Sequence, residues 1–241
     1  QYQGQFAIQD AAVLLPQSHV QLQDISAHLH LGATAAESTA EFAIGQLQHL
    51  VPEPLFKPFS FSGDLKPQSM EGKPTAYILN GVGGMPGLSY IKLTGRHTPD
   101  SGNGMLKLAM TPLNFAPHKL QPEALSSALA SLEEVTGVVS ASAQIKWSKQ
   151  GIRSSGAVVE VKNLSLTHET GKISDLNVAL NLNNLLPLSS LPQQTIKIRS
   201  IDAGIPLKNL LVSYQIASAD LPRIILEKAQ FSVMDGLVSL T

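Results

Sequence analysis

The chain has 241 residues and no cysteine. That excludes disulfide staples, thiolate metal ligands and a cysteine nucleophile, while leaving the compartment open. Charge is scarce as well: charged residues make up 15% and the formal net charge is -1. Without a basic stripe, nucleic acid and anionic membrane surfaces are poor partners. Aromatics amount to 5%, with one tryptophan. No apolar run reaches the ~18 residues that a membrane-spanning helix requires. The chain starts at Gln1 with no charged segment ahead of an apolar one, so it reads as a fragment or processed product, in which a missing N-terminal anchor leaves no trace.

What the sequence has in quantity is Leu, Val, Ile and Ala, within an apolar total of 43%. Such residues suit a sheet, and they equally suit contact with acyl chains. Their arrangement is clearest from Lys172 to Leu240. Leu176, Val178, Leu180 and Leu182 alternate with Asn177, Ala179, Asn181 and Asn183, which is the period of a strand with one apolar and one polar face. Ile196 and Ile198 open a second strand, Leu210, Val212, Tyr214 and Ile216 a third, and Ile225, Ala229, Phe231 and Val233 a fourth. Asp235-Gly236 is a hairpin signal, after which Val238 and Leu240 begin a return strand.

Within these strands the alternation changes parity once. Ile196 and Ile198 give way to Ile201 and Ala203 across Arg199-Ser200. One inserted residue does this, and the device is a β-bulge. The same layout recurs around Gln9-Asp10, Gln23-Asp24, Lys162-Asn163 and Glu227-Lys228, which reads as a structural repeat.

Taken in order, residues 3–15 and 18–32 read as a strand pair joined by a turn at Pro16, Gln17 and Ser18. Residues 34–50 suggest a short helix, with Ala40, Phe42, Ala43, Leu47 and Leu50 near a 3.6 spacing and Ser38 and Glu41 as a capping box. The glycine-rich Gly81-Val82-Gly83-Gly84-Met85-Pro86-Gly87 has no Lys or Ser/Thr to end a phosphate cradle, so it reads as a tight or flexible loop. Residues 89–97 and 104–110 form a hairpin with Asn103-Gly104 in its turn. Residues 122–135 read as the one prominent helix: Pro122 opens it, Leu125, Ala128, Leu129 and Leu132 share a face, and Gly137 ends it. Val139, Ala141, Ala143, Ile145 and Trp147 then alternate as a strand. The division that follows is 1–120, an N-terminal β region, and 121–241, a helix plus β region, the two forming one continuous structure or separate parts.

No constellation for catalysis emerges. His28 and His30 share a strand face, yet no third ligand stands near them in sequence, so they read as solvated histidines rather than a metal site. Glu133 and Glu134 are adjacent and point different ways, which makes a poor acid–base pair. The reading is therefore a non-enzyme without cofactor or metal.

From about Leu120 onward the chain resembles the C-terminal part of YdbH-like proteins, whose domain carries the historical name dicarboxylate transport. The matching residues are Leu120-Gln121-Pro122, Gly137-Val138 leading to Ile145-Lys146-Trp147, residues 161–166, Leu185-Leu186-Pro187-Leu188, Pro192-Gln193, residues 198–201, and Gly204-Ile205-Pro206-Leu207. Asp235-Gly236 departs from the Gly-Gly of the family pattern. The first half resembles the family in general strand character. The resemblance implies kinship with AsmA-like envelope proteins, a periplasmic location, an inner-membrane anchor in the rest of the longer chain, and transport of phospholipid toward the outer membrane. It also implies a small outer-membrane lipoprotein as partner at the C-terminal end.

The expected fold is therefore mostly β: an elongated, bulged antiparallel sheet curled around an apolar groove or cavity, with one prominent helix. Leu176, Val178, Leu180, Leu182, Ile196, Ile198, Val212 and Tyr214 are expected to line the path for lipid, because each CH₂ left in water costs roughly 0.8 kcal/mol. Val238 and Leu240 form the expected docking edge, by strand pairing. The competing reading makes these side chains the closed core of a β scaffold or protein-binding module.

Overall fold

The computed structural model describes residues 3–16, 19–34, 37–70, 73–85, 88, 91–185, 187–218, 223–234 and 236–240. Gln17, Ser18, Pro86, Gly87 and Asp235, named above in turns, lie outside them. The described chain is almost entirely β-strand, and its strands pair antiparallel. Strands follow one another in the sheet nearly in chain order, as a meander with short connections.

The chain forms two compact units. The first holds β1 (Gly4–Leu15), β2 (Val20–Leu31), β3 (Thr39–His49), β4 (Phe59–Met70), β5 (Lys73–Gly84), β6 (Ile91–Thr98) and β7 (Asn103–Met110), with Leu125–Ala128 and Gln144–Arg153. The second holds β8 (Leu113–Phe115), most of β9 (Glu133–Ser148) and β10 (Gly151–His168), then β11 (Gly171–Leu185), β12 (Leu188–Ser190), β13 (Gln194–Ala203), β14 (Ile205–Ala217), β15 (Arg223–Val233) and β16 (Gly236–Leu240).

The expected prominent helix is absent. Residues 122–135 make two single 3₁₀ turns, Pro122–Ala124 and Ser127–Leu129, and β9 has already begun at Glu133. Local side chains outbid helical bonds here. The Gln121 side chain accepts from Val135 N at 2.9 Å and donates to the carbonyls of Ala116, Leu120 and Val135. The Ser126 hydroxyl donates to Pro54 O at 3.0 Å and accepts from Ala128 N at 3.2 Å. Each of these competes with the i−4 ladder. The expected helix at 34–50 is likewise the strand β3. Its alternation Ala40, Phe42, Ile44 jumps to Leu47 because the pairing with β4 shifts between Ile44 and Leu47. A bulge there turned a period of two into an apparent helical spacing.

The sheet is open, ending at β1 on one side and β16 on the other, so the expected curl around a groove is also corrected. Two strand pairs carry bulges that offset each other in register. Asp10 in β1 has φ 54° and Asp24 in β2 has φ 52°. The register of this pair shifts once at each and returns to its starting offset, from Ile8↔Ala27 through Ala11↔Ile25 to Val13↔Leu22. Asn163 in β10 and Asp175 in β11, with φ 51° and 58°, cancel in the same way across Val161↔Val178, Leu164↔Leu176 and Leu166↔Ile173.

Four of the five expected bulge sites coincide with register shifts: Asp10, Asp24, Asn163, and the Glu227 stretch between Ser213↔Lys228 and Tyr214↔Leu226. At Arg199-Ser200 the register with β11 and β14 runs through unshifted. The left-handed residues stand in the neighbours instead, at Asp175 and at Asn209 (φ 53°). In the second unit, side chains satisfy the amides that such bulges free. Asn163 N donates to Asn177 Oδ1 at 3.0 Å, Asp175 N to Ser165 Oγ at 3.0 Å, and Asn177 Nδ2 to Asp175 Oδ1 at 3.0 Å.

The glycine-rich segment is a second correction of local structure. Gly81 to Gly84 are not a loop but the end of β5, paired with β4 and β6. A Cβ on Gly83 would run into the Phe61 ring and one on Gly63 into the Phe42 ring, so glycine is what lets these aromatics lie across the sheet. The hairpin of β6 and β7 turns through residues 98–102, with Gly102 at φ 66°, and Asn103-Gly104 is already strand.

Candidate functional site

Side chains directly opposite one another on neighbouring strands share a face. In the second unit, register places Val161 opposite Val178, Val178 opposite Ile196, Ile196 opposite Val212, Val212 opposite Ala229 and Ala229 opposite Leu240. This single apolar row crosses six strands, about 24 Å at the usual strand spacing. A parallel row runs Leu164, Leu176, Ile198, Leu210. Leu180 stands opposite Val159 and Leu182 opposite Ala157.

The reverse face is polar. Glu160, Ala179, Thr195, Ser213 and Lys228 form one cross-strand row, and Asn177, Lys197, Leu211, Gln230 and Ser239 another. Lys162 pairs with Glu160 at 2.6 Å and Arg199 with Asp175 at 3.9 Å; both pairs are exposed and anchor little.

The eight residues expected to line a lipid path are thus brought together on one face, with one polar boundary. Leu182 and Tyr214 border Ser190 and Gln194, their direct register partners. Ser190 and Gln194 are buried at 2% and 4% exposure. The Ser190 hydroxyl accepts from Ile216 N at 2.8 Å, and Gln194 Oε1 accepts from Asn181 N at 2.7 Å. The first bond fastens β12 to β14, and the second holds β13 to β11 just past the end of their ladder at Ala179↔Thr195.

Ile198 and Tyr214 are buried, but Leu176, Val178, Leu180, Leu182, Ile196 and Val212 are only half-buried. Burial raises the Tyr214 phenol pKa above its ordinary 10.0, as expected for a hydroxyl set in an apolar surround.

The first unit carries an apolar face of the same design, which alternation in the sequence did not reveal. One row runs Ile25, Ile44, Phe61, Gly83, Ile91, Met110, and the next Ala27, Phe42, Gly63, Gly81, Leu93, Leu108. The glycines broke the pattern along β4 and β5, and their partners in register supply the bulk instead. His28 and His30 lie exposed on β2, and no group of His, Asp and Glu able to hold a metal occurs among the described residues.

Val238 and Leu240 stand opposite Phe231 and Ala229 on β16, the last strand of the sheet. β16 pairs only with Ala229–Val233, whereas β15 begins at Arg223. Ile224, Ile225 and Leu226 are 75%, 47% and 55% exposed beyond it. Among the described residues no helix is long and apolar enough to cross a membrane.

The model of the YdbH-like family, described as intermembrane phospholipid transport protein YdbH, matches residues 3–241. No curated protein matches the chain, and no solved structure does. The matched family is one of transport rather than catalysis.

Proposed function

The chain belongs to the YdbH-like family of intermembrane phospholipid transport proteins, and on that premise we propose that its apolar faces carry the lipid. Acyl tails lie on the rows through Val178, Ile196 and Val212 and through Leu176 and Ile198, flanked by Leu180, Leu182 and Tyr214, with head groups toward solvent. The observation that carries this reading is an apolar row across six strands, half-buried at Val161, Val178, Ile196 and Val212 and backed by a polar face. An apolar surface of that extent on a sheet is a binding surface for something equally apolar. A conduit must release what it holds, which is why an apolar face without a charged pocket fits the task.

An intermembrane carrier works in the periplasm, between inner and outer membranes. We place this chain there as a segment of a longer bridge anchored in the inner membrane. The open edge at Val238 and Leu240, with exposed apolar residues beside it, fits an extended peptide adding by strand pairing, and a small outer-membrane lipoprotein is the proposed partner. Crosslinkers at residues 237–240 of the full-length protein are expected to reach that partner; crosslinks found only from residues 122–135 contradict the arrangement.

A photocrosslinking residue at Val178 or Val212 is expected to capture phospholipid, while one at Asn177 or Lys197, on the reverse face, captures little. Equal capture from both faces, or none from either, refutes the assignment.

A further inference from the structure

The apolar face of the first unit ends beside the connection from β3 to β4. Phe61 stands in the row between Ile44 and Gly83, and Phe59 stands opposite Leu47 two residues away on the same face. Their rings are 5.2 Å apart, edge to face. Phe56, from the connection between β3 and β4, adds a third rung 5.2 Å from Phe59 and stacks on His49 at 5.7 Å. The Phe56 ring of this connection therefore lies against the end of the aromatic ladder, at Phe59.

A segment remote in sequence holds this loop in place. Lys57 N donates to Leu125 O at 2.7 Å, and the Ser126 hydroxyl donates to Pro54 O at 3.0 Å. Ser126 is 2% exposed, whereas Leu55 is 70% and Leu50 45% exposed. Leu55 N reaches His49 Nδ1 at 3.3 Å. The strands beneath are tied by continuous ladders, and the loop by these bonds, by Leu50 N donating to His19 O at 2.7 Å, and by the two ring contacts of Phe56. Elements fastened in this way open at lower free energy than the sheet they rest on.

We propose that residues 50–58 are a movable cover over this end of the apolar face, and that Ser126 is its latch. Opening lifts Phe56 off Phe59 and uncovers the ladder of Phe59 and Phe61. The inference rests on the reading that lipid tails occupy the apolar faces, and adds a point at which their access is controlled.

The test uses the purified chain with vesicles of phosphatidylethanolamine and phosphatidylglycerol. A photocrosslinking phenylalanine analogue is placed at Phe59, and, in a separate sample, a photocrosslinker at Val178 as the reference. Ser126→Ala removes the latch and is expected to raise lipid capture at Phe59 roughly three- to tenfold, the shift in open population that one lost neutral hydrogen bond produces. Capture at Val178 stays unchanged. The chain has no native cysteine, so the pair Pro54→Cys with Ser126→Cys can be toggled cleanly. Oxidised, it is expected to capture less lipid at Phe59 than wild type; reduced, as much as Ser126→Ala. Equal capture at Phe59 in every form, with Val178 still labelled, overturns the cover. Loss of capture at Val178 as well overturns the lipid reading on which it rests.

Discussion

Asn163, Asp175 and Asn209 hold left-handed backbone inside strands, as do Asp10 and Asp24. Asn and Asp enter that region more readily than other side chains with a Cβ, because their short polar groups bond locally. A β-branched residue has no such relief. Asn209→Val is expected to lower the unfolding free energy by about 1–2 kcal/mol in a denaturant titration, and Asn209→Gly by clearly less. Equal losses would mean that the side chain, not the backbone, sets the requirement. Tyr214 offers a pH test at the same scale. Its pKa in the folded chain lies above the ordinary 10.0 through burial. The stability it contributes is thus fully present below pH 10 and is lost as pH rises through the folded value. Phenolate absorbance is expected to show one tyrosine titrating late, and Tyr214→Phe to remove it together with part of the alkaline loss of stability.

The connection from β7 to β9 shows how an element is decided by a few side chains. Val135, the first buried residue of β9, is 1% exposed, and its amide hydrogen bonds to Gln121. Gln121→Ala leaves that amide without its side-chain acceptor and is expected to cost about 1–3 kcal/mol by thermal or denaturant unfolding; a loss below about 0.5 kcal/mol would show that water replaces the side chain freely. The apolar positions of 122–135 carried a helical period, but Gln121 and Ser126 tie the backbone elsewhere, and that competition is not visible in periodicity. Strands were legible wherever alternation ran unbroken, as from Leu176 to Leu182. They became illegible where glycines stood under aromatic partners, as at Gly63 and Gly83, because the missing bulk lies across the sheet rather than along the chain. The bulges were legible as parity changes. Their assignment to Arg199-Ser200 rather than to Asp175 and Asn209 failed because parity marks the level of an inserted residue, while the Asn or Asp marks the strand that carries it. That the eight residues of the second unit share one face was legible; the matching face of the first unit was not.

At the scale of the whole chain, a meander of antiparallel strands presents apolar rows in each of two units, and in β1–β2 and β10–β11 the bulges come in pairs that cancel. Such a sheet does not need to close to serve a lipid, since tails require only an apolar surface with few strong anchors. The central claim is that the row through Val178 is a working surface for lipid and not a core. It is tested most directly by Val178→Asp, with melting temperature measured beside mass spectrometry of co-purifying phospholipid. On a half-buried face the carboxylate keeps part of its hydration, so the variant is expected to fold with a loss below about 2 kcal/mol. Bound phospholipid is expected to fall at least tenfold, the equivalent of roughly two methylenes of apolar contact. A variant that unfolds outright, from a wild type that carries no phospholipid, would contradict the account.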